Sequence, residues 1–136
     1  MLLSRLLKNI PFAVSPLSED VEITGIVSDS RQVQSGNLFV AFRGGNFDAH
    51  QYIPQAISMG AAAVVGMEVG LCLSVPYVQI EETRRALPYL AAAFYDNPAH
   101  QMTMIGVTGT DGKTTTTNLI YQILLAAGLK TGMIST

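Results

Sequence analysis

The chain is poor in charged residues, contains a single cysteine and has no tryptophan. Charged residues make up 13% of the 136 residues and the formal net charge is -2, so the basic footprint of a nucleic-acid-binding protein is absent. Because Cys72 has no second cysteine to pair with, no intramolecular disulfide can form, and the chain fits a reducing compartment. We expect the Cys72 thiol to be packed, since it lies in an apolar run.

Long apolar runs are also missing, so the sequence offers no segment that could cross a membrane. Leucines recur at helical spacing over residues 2–10, with Arg5 and Lys8 between them. This pattern indicates a short amphipathic helix rather than a signal peptide. Hydrophobic residues nevertheless make up 49% of the chain, which favours a folded globular protein. We therefore expect a cytoplasmic protein with neither nucleic acid nor membrane as a partner.

The pattern of apolar residues predicts an α/β fold in two parts. In the first part, four strands are predicted at 21–27, 37–42, 61–65 and 77–80. Three helices are predicted at 2–10, 50–59 and 81–95. The turn-rich segment 96–100 marks the boundary between the two parts. We expect residues 1–98 to form a small amino-terminal α/β domain that binds substrate.

The second part, residues 99–136, is predicted to begin a parallel-sheet domain. An apolar run at 102–107 predicts a buried strand, a periodic stretch at 119–127 predicts a helix, and 131–136 predicts a further strand. One such unit cannot cover both faces of its strands, as parallel sheets require. We therefore expect a truncated domain in a chain that is a fragment, containing only the first strand–loop–helix unit.

A glycine-rich segment, residues 106–117, joins the predicted strand to the predicted helix. Gly109, Gly112, Lys113 and Thr114 follow one another in the order of a phosphate-binding P-loop. The glycines let the backbone approach phosphates, and the helix start supplies unpaired N–H groups. Lys113 would reach the β- and γ-phosphates, and the Thr114 hydroxyl would ligate magnesium. The segment therefore predicts a site for a nucleoside triphosphate.

The loop departs from the strict P-loop, which has glycine at the position of Val107. The segment Gly106-Val-Thr-Gly-Thr-Asp-Gly-Lys-Thr114 resembles the ATP-binding loop of the Mur ligase family, whose loop departs from the strict P-loop in the same way. The enzymes of this family build the peptide stem of peptidoglycan. Five other segments resemble the family's amino-terminal domain: Asp29-Ser-Arg31, Gly36-Asn-Leu-Phe-Val-Ala41, Asp48-Ala-His50, Ile53-Pro-Gln-Ala56 and Gly60-Ala-Ala-Ala-Val64. Asp111 stands where the family usually has Asn, and its charge lies near a polyphosphate.

The resemblance implies an ATP-dependent amide ligase of cell wall biogenesis. In the family, ATP phosphorylates a substrate carboxylate, and the amine of an amino acid attacks the acyl phosphate. Within the family, the chain is most similar to members that add the third residue of the stem. The implied partners are UDP-N-acetylmuramoyl-L-Ala-D-Glu and either diaminopimelate or lysine, and the implied state is a monomer. By the same resemblance, the remaining catalytic parts would lie beyond Thr136, so the chain alone would be inactive.

The resemblance also implies individual roles. The ATP-binding residues are Gly109, Thr110, Asp111, Gly112, Lys113, Thr114 and Thr115. The contacts of the uridine diphosphate moiety are Ser28, Ser30, Arg31, Gly45, Asn46 and Phe47. Lys113 is the implied catalytic residue and Thr114 the implied Mg²⁺ ligand. The planar fork of Arg31 suits a pyrophosphate, whereas spacing alone favours a surface ion pair with Asp29.

Other hypotheses stay open at this point. Within the family, the ligase that adds D-Ala-D-Ala shares the amino-terminal motifs. A small P-loop switch protein that binds Mg-GTP is a different class. A third hypothesis is a non-catalytic module in which residues 1–98 bind a uridine diphosphate-sugar. His50 and His100 lack metal-ligand spacing, and we expect both at helix ends or on the surface.

Overall fold

A four-stranded parallel sheet forms the centre of the first part of the chain. The computed structural model describes residues 1–8, 10–11, 16–45 and 47–135. The strands are β1 (Gly25–Val27), β2 (Asn37–Val40), β3 (Ala63–Gly66) and β4 (Tyr77–Gln79), and they lie side by side in chain order. The α/β fold expected of residues 1–98 is confirmed, and all neighbouring strands of its sheet are parallel.

Every residue of the two inner strands is buried. Parallel strands covered on both faces need such continuous apolar runs, which explains why alternation is weak in their sequence. Leu38 pairs with Ala63 and Val40 with Val65 in the register of β2 and β3. Because successive side chains point to opposite faces, β2 sends Leu38 and Val40 into one apolar cluster and Phe39 into another.

Helices cover the two faces of this sheet. The helices of this part are α1 (Leu3–Leu7), α2 (Ile53–Ser58) and α3 (Thr83–Phe94). A further helix, α4 (Lys113–Ala126), follows the glycine-rich segment. Leu6 of α1 and Leu90 of α3 belong to the first cluster, and Ile53 of α2 belongs to the second. Short 3₁₀ helices at Ser30–Gln32, Ala49–Tyr52 and Pro98–Gln101 complete the elements. No helix in the described ranges is long and apolar enough to cross a bilayer.

The chain divides into two compact units, Met1–Gln101 and Met102–Thr136. In the second unit, α4 is present as predicted, but the predicted buried strand at 102–107 is wrong. Those residues form no strand, and Met104 is 69% exposed. A parallel strand depends on hydrogen bonds to neighbouring strands and on cover for both faces, and no described strand pairs with this segment.

Two further expectations also fail. Residues 131–135 form no strand, for the same reason, and Thr136 lies outside the described residues. Cys72 is exposed rather than packed, because the segment between β3 and β4 that carries it includes half-buried and exposed residues and contributes only partly to the core. The first unit therefore holds the core, and the second is the glycine-rich loop followed by its helix.

Candidate functional site

A cavity of about 600 Å³ lies in the first unit, among residues that follow β1 and β2 in the chain. Its walls are formed by Ser28, Asp29, Ser30, Arg31, Phe39, Phe42, Phe47, Ala49, Tyr52 and Gln55. The carboxyl ends of parallel strands are the usual place for ligands in α/β sheets. The volume falls in the range typical of small-molecule sites.

The polar wall of the cavity begins with an ion pair. The carboxylate of Asp29 accepts hydrogen bonds from the backbone N–H of Arg31 at 3.0 Å, from its Nε at 3.0 Å and from its Nη2 at 2.7 Å. The side-chain bonds with Arg31 are the main cause that lowers the pKa of Asp29 to about 2. The other N–H groups of the guanidinium can donate to an anion, since the fork carries five N–H donors.

Ser30 is another polar residue that lines the cavity beside Asp29 and Arg31. Its side chain is buried, and its hydroxyl donates to Oε1 of Gln55 at 3.1 Å. Gln55 lies on α2, the crossover helix between β2 and β3. This bond fixes the direction of the hydroxyl hydrogen, so the lone pairs of the Ser30 oxygen are available to a donor on a ligand.

An aromatic pair, Phe47 and Tyr52, also lines the cavity. The rings of Phe47 and Tyr52 are stacked with centroids 5.6 Å apart and an interplanar angle of 20°. Phe47 is 47% exposed, so part of its ring surface is available to a ligand. A flat, half-exposed ring beside hydroxyl and guanidinium groups can hold a planar base and its phosphates.

Four of the six predicted uridine diphosphate contacts therefore line one cavity: Ser28, Ser30, Arg31 and Phe47. Gly45 belongs to the loop that carries Phe47, but it is not among the described residues that line the cavity. Asn46 lies outside the described residues. Sequence reasoning missed Tyr52 and Gln55, although their three-residue spacing at the start of a helix places both on one side of it.

The glycine-rich loop of the second unit leads directly into α4. Gly112 has φ = 73°, in the left-handed region that favours glycine, and α4 begins at the next residue. Nζ of Lys113 donates to the carbonyl oxygen of Gly109 at 2.7 Å and to that of Thr110 at 3.1 Å. The ammonium group therefore lies against the loop backbone, where phosphates would also be held.

The first turn of α4 provides the other groups that a nucleotide needs. Its first N–H groups have no partner inside the helix, and no side chain caps it. Thr114 and Thr115 are exposed in that turn, and Asp111 is exposed beside it. A hydroxyl oxygen is a ligand that Mg²⁺ accepts together with phosphate oxygens and water, so Thr114 fits the predicted metal role.

His50 lies near the start of the 3₁₀ helix Ala49–Tyr52, as the helix-end alternative expects, and it is buried rather than on the surface. Its side chain is 3% exposed, Nδ1 lies 2.6 Å from Oδ1 of Asp48, and Nε2 accepts the backbone N–H of Met67 at 2.9 Å. Ligand atoms of Asp48, His50 and Glu68 lie within 4.8 Å of one another. Because Nε2 is an acceptor, Nδ1 carries the proton, and neither nitrogen has a lone pair for a metal.

His100 matches its expectation, since it is exposed in the 3₁₀ helix Pro98–Gln101.

Arg43 also argues against a cation beside Asp48, because its Nε lies 2.7 Å from Oδ2 of Asp48. The positive charge that the carboxylate needs is already supplied by the guanidinium. The Asp48, His50 and Glu68 cluster is therefore a hydrogen-bonded structural group.

Comparisons with known proteins agree on one family. Residues 22–95 match the family described as "Mur ligase family, catalytic domain". The chain is 45% identical over 130 residues to UDP-N-acetylmuramoyl-L-alanyl-D-glutamate--2,6-diaminopimelate ligase of Bacillus licheniformis, with 96% of this chain and 26% of that protein covered. The chain thus spans about a quarter of the length of the curated relatives it matches.

Two solved structures are similar to the chain in fold and in sequence. One is the UDP-N-acetylmuramoylalanyl-D-glutamyl-2,6-diaminopimelate--D-alanyl-D-alanyl ligase of Acinetobacter baumannii, with a TM-score of 0.67 and 28% identity, covering 90% of this chain and 27% of that one. The other is the MurF ligase of Thermotoga maritima in complex with ADP, with a TM-score of 0.58 and 30% identity, covering 74% of this chain and 23% of that one.

Proposed function

Because this chain belongs to the Mur ligase family, we propose that it serves an ATP-dependent ligase that joins an amino acid to UDP-N-acetylmuramoyl-L-Ala-D-Glu. Residues 1–98 would form its substrate domain and 99–136 the start of its ATP-binding domain. The enzyme would act in the cytoplasm as a monomer in peptidoglycan synthesis.

The observation that carries this proposal is the make-up of the cavity. Ser28, Ser30, Arg31 and Phe47 line one space of about 600 Å³. A guanidinium fork suits a diphosphate, hydroxyls suit the polar edge of a base, and a half-exposed ring suits its face. Uridine diphosphate presents these three chemistries in one molecule. Gly45 and Asn46 stay predicted contacts on the loop beside Phe47.

The glycine-rich loop supports ATP as the energy source. In the proposed reaction a substrate carboxylate attacks the γ-phosphorus of ATP and ADP leaves. The amine of the amino acid then attacks the acyl carbon, so that the amide bond forms and phosphate leaves. Such chemistry depends mainly on positioning and charge neutralisation. Lys113 would neutralise the transferred phosphate, and Mg²⁺ held at Thr114 would shield the charge of the nucleotide.

Seven loop residues take part in this proposal: Gly109, Thr110, Asp111, Gly112, Lys113, Thr114 and Thr115. The unpaired N–H groups at the start of α4 and the open φ of Gly112 support it. The exposure of Asp111 also supports it, because solvent screens a charge that would otherwise repel phosphates.

The amino acid is proposed to be diaminopimelate rather than lysine. Relatives with 42% and 45% identity carry diaminopimelate in their names. The second candidate is the ligase that adds D-Ala-D-Ala, and the TM-score of 0.67 with such an enzyme favours it. Sequence identity supports the first candidate, since 45% over 96% of the chain exceeds 28% over 90%.

Calorimetric titration of the chain tests the substrate class. We expect UDP-N-acetylmuramoyl-L-Ala-D-Glu to bind, uridine diphosphate to compete with it, and UDP-glucose to bind more weakly. An Arg31→Met variant should lose about tenfold in affinity, because a charge-assisted hydrogen bond to phosphate is lost. Arg84→Met, which changes an exposed arginine outside the cavity, is the matched control.

Three outcomes would contradict the proposal. Equal loss of affinity in both arginine variants would show a non-specific charge effect. Binding of the muramoyl tripeptide in preference to the dipeptide would transfer the assignment to the D-Ala-D-Ala ligase. Binding of Mg-GTP with exclusion of Mg-ATP would instead favour the P-loop switch protein.

A further inference from the structure

The loop that carries Phe47 is closed at its base by two backbone contacts. Arg43 and Asp48 form an antiparallel bridge, and the N–H of Gly44 donates to the carbonyl oxygen of Phe47 at 2.6 Å. These two contacts hold the backbone on either side of the loop, including the backbone of Phe47. The ring of Phe47, beside these contacts, stacks on Tyr52 and lines the cavity.

Asp48 collects three donors at the base of this loop. Its carboxylate accepts from the backbone N–H of His50 at 3.0 Å, from Arg43 Nε at 2.7 Å and, at 2.6 Å, from the imidazole N–H at Nδ1 of His50. Bonds to a charged acceptor are stronger than neutral ones. The carboxylate thereby joins both ends of the loop to the imidazole.

His50 extends this chain of bonds to the end of β3. Its Nε2 accepts the N–H of Met67, the residue that follows β3. The absence of a side chain at Gly66 makes room for the ring, since a Cβ there would lie 3.1 Å from Nε2 of His50 and 2.5 Å from the hydroxyl oxygen of Tyr77. The buried imidazole therefore connects the loop base to a rigid strand of the sheet.

We infer that Asp48 and His50 are positioning residues that tie the Phe47 loop to the end of β3 and so set the affinity of the cavity for a nucleoside diphosphate. The choice of a nucleoside diphosphate as the ligand rests on the proposed function. Neither side chain is among the described residues that line the cavity. Their effect on binding therefore acts through the place of the Phe47 ring.

A single tryptophan at position 47 reports the loop directly, because the chain contains no other tryptophan. In the Phe47→Trp background, we expect His50→Phe to increase quenching of the indole by acrylamide about twofold, because the ring leaves its stacked place more often. In the wild-type background, we expect His50→Phe to lower the fraction of molecules with the loop in its binding conformation to about a tenth. Binding of uridine diphosphate should then weaken about tenfold.

Three further variants separate positioning from general damage. His50→Gln should keep most of the affinity, since an amide has one donor and one acceptor as the neutral imidazole does. Arg43→Met removes the exposed ion pair with Asp48 and a longer one, at 3.9 Å, with Glu68. It should fold and weaken binding about threefold. His100→Phe alters the other histidine, which is exposed, and should change neither readout.

The inference is overturned if two results hold for folded His50→Phe and Arg43→Met proteins. In the Phe47→Trp background their quenching would equal that of Phe47→Trp alone, and in the wild-type background their affinity would equal that of the wild type. Stoichiometric binding of Zn²⁺ that disappears in His50→Phe would also overturn it, because a metal needs a lone pair that the hydrogen bonds occupy. The quenching measurement requires no ligand. A wild-type chain that fails to bind uridine diphosphate would therefore count against the proposed function while quenching still decides the role of His50.

Discussion

At the scale of single residues, Lys113 carries the positive charge of the glycine-rich loop. Its Nζ lies against the loop carbonyls of Gly109 and Thr110, so it can exchange these contacts for phosphate oxygens. We expect Lys113→Met to weaken binding of a magnesium-bound, non-hydrolysable ATP analogue by about tenfold to a hundredfold, as loss of a hydrogen bond from a charged group predicts. Calorimetry measures the change.

Lys130→Met is the control for this prediction, because it removes an exposed lysine of the same unit outside the loop. Its affinity for the analogue should equal that of the unchanged chain. Equal affinities of all three proteins would show that Lys113 has no part in nucleotide binding, and the P-loop assignment would then be wrong.

Asp48 gives a prediction for the dependence of stability on pH. Hydrogen bonds from His50, followed by that from Arg43, lower its pKa from 3.8 to about 2 in the folded chain. A carboxyl group with a lowered folded pKa stabilises the protein above its unfolded pKa, and this contribution is lost as the pH falls through the folded pKa. The stabilisation should therefore be complete above about pH 5 and decline between about pH 4 and pH 2.

Urea unfolding of the wild type and of Asp48→Asn, followed by circular dichroism, checks this window. The difference in the free energy of unfolding should be constant from pH 7 to about pH 5 and shrink on further acidification, since Asn does not titrate. A difference that grows as the pH falls would have the wrong sign and would refute the interpretation.

The sequence predicts only some of the site at this scale. Ser28, Ser30 and Arg31 follow one strand directly, so a local motif suffices to place them together. Gln55 reaches Ser30 only because α2 crosses between β2 and β3, which no local pattern shows. The burial of His50 depends in the same way on a residue distant in the sequence, because its ring occupies the space beside Gly66 of β3.

At the scale of elements, α3 and α4 differ in how far their apolar residues are buried. Leu90 of α3 is completely buried, whereas Leu119 of α4 is 59% exposed. We expect Leu90→Ala to lower the free energy of unfolding by about 2 to 5 kcal/mol, from the lost transfer energy and the cavity left behind. Leu119→Ala should change it by less than about 0.5 kcal/mol.

Chemical unfolding of the two variants, measured side by side, tests this difference between the helices. Equal and large losses would mean that α4 contributes to the core as α3 does. Equal and small losses would mean that the cavity around position 90 collapses or that the first cluster is loosely packed.

The same contrast explains which elements the sequence predicts well. The inner strands and α3 are predicted near their observed positions because their apolar patterns coincide with real burial. The helix α4 is also predicted, since its periodic residues and the glycine before Lys113 are local signals. The segment 102–107 has a strand-like composition, yet strand propensity depends on neighbours more than on the residues themselves. The sequence pattern cannot show whether those neighbours are present.

At the scale of the whole molecule, all the described residues that are buried lie in one unit. Both apolar clusters are built from residues of Met1–Gln101, and no described residue from 102 to 135 is buried. Removal of the second unit therefore takes away no buried apolar side chain. We expect a chain that ends at Gln101 to fold with a free energy of unfolding within about 0.5 kcal/mol of the full chain.

The shortened chain also separates the two proposed binding sites. Every described residue that lines the cavity is retained, so uridine diphosphate should bind with an unchanged dissociation constant. The glycine-rich loop and α4 are removed, so the ATP analogue should no longer bind. Loss of uridine diphosphate binding by a shortened chain that is folded by circular dichroism would mean that the second unit contributes to the substrate site. The proposed assignment of substrate binding to residues 1–98 would then be wrong, because the cavity alone would not account for recognition.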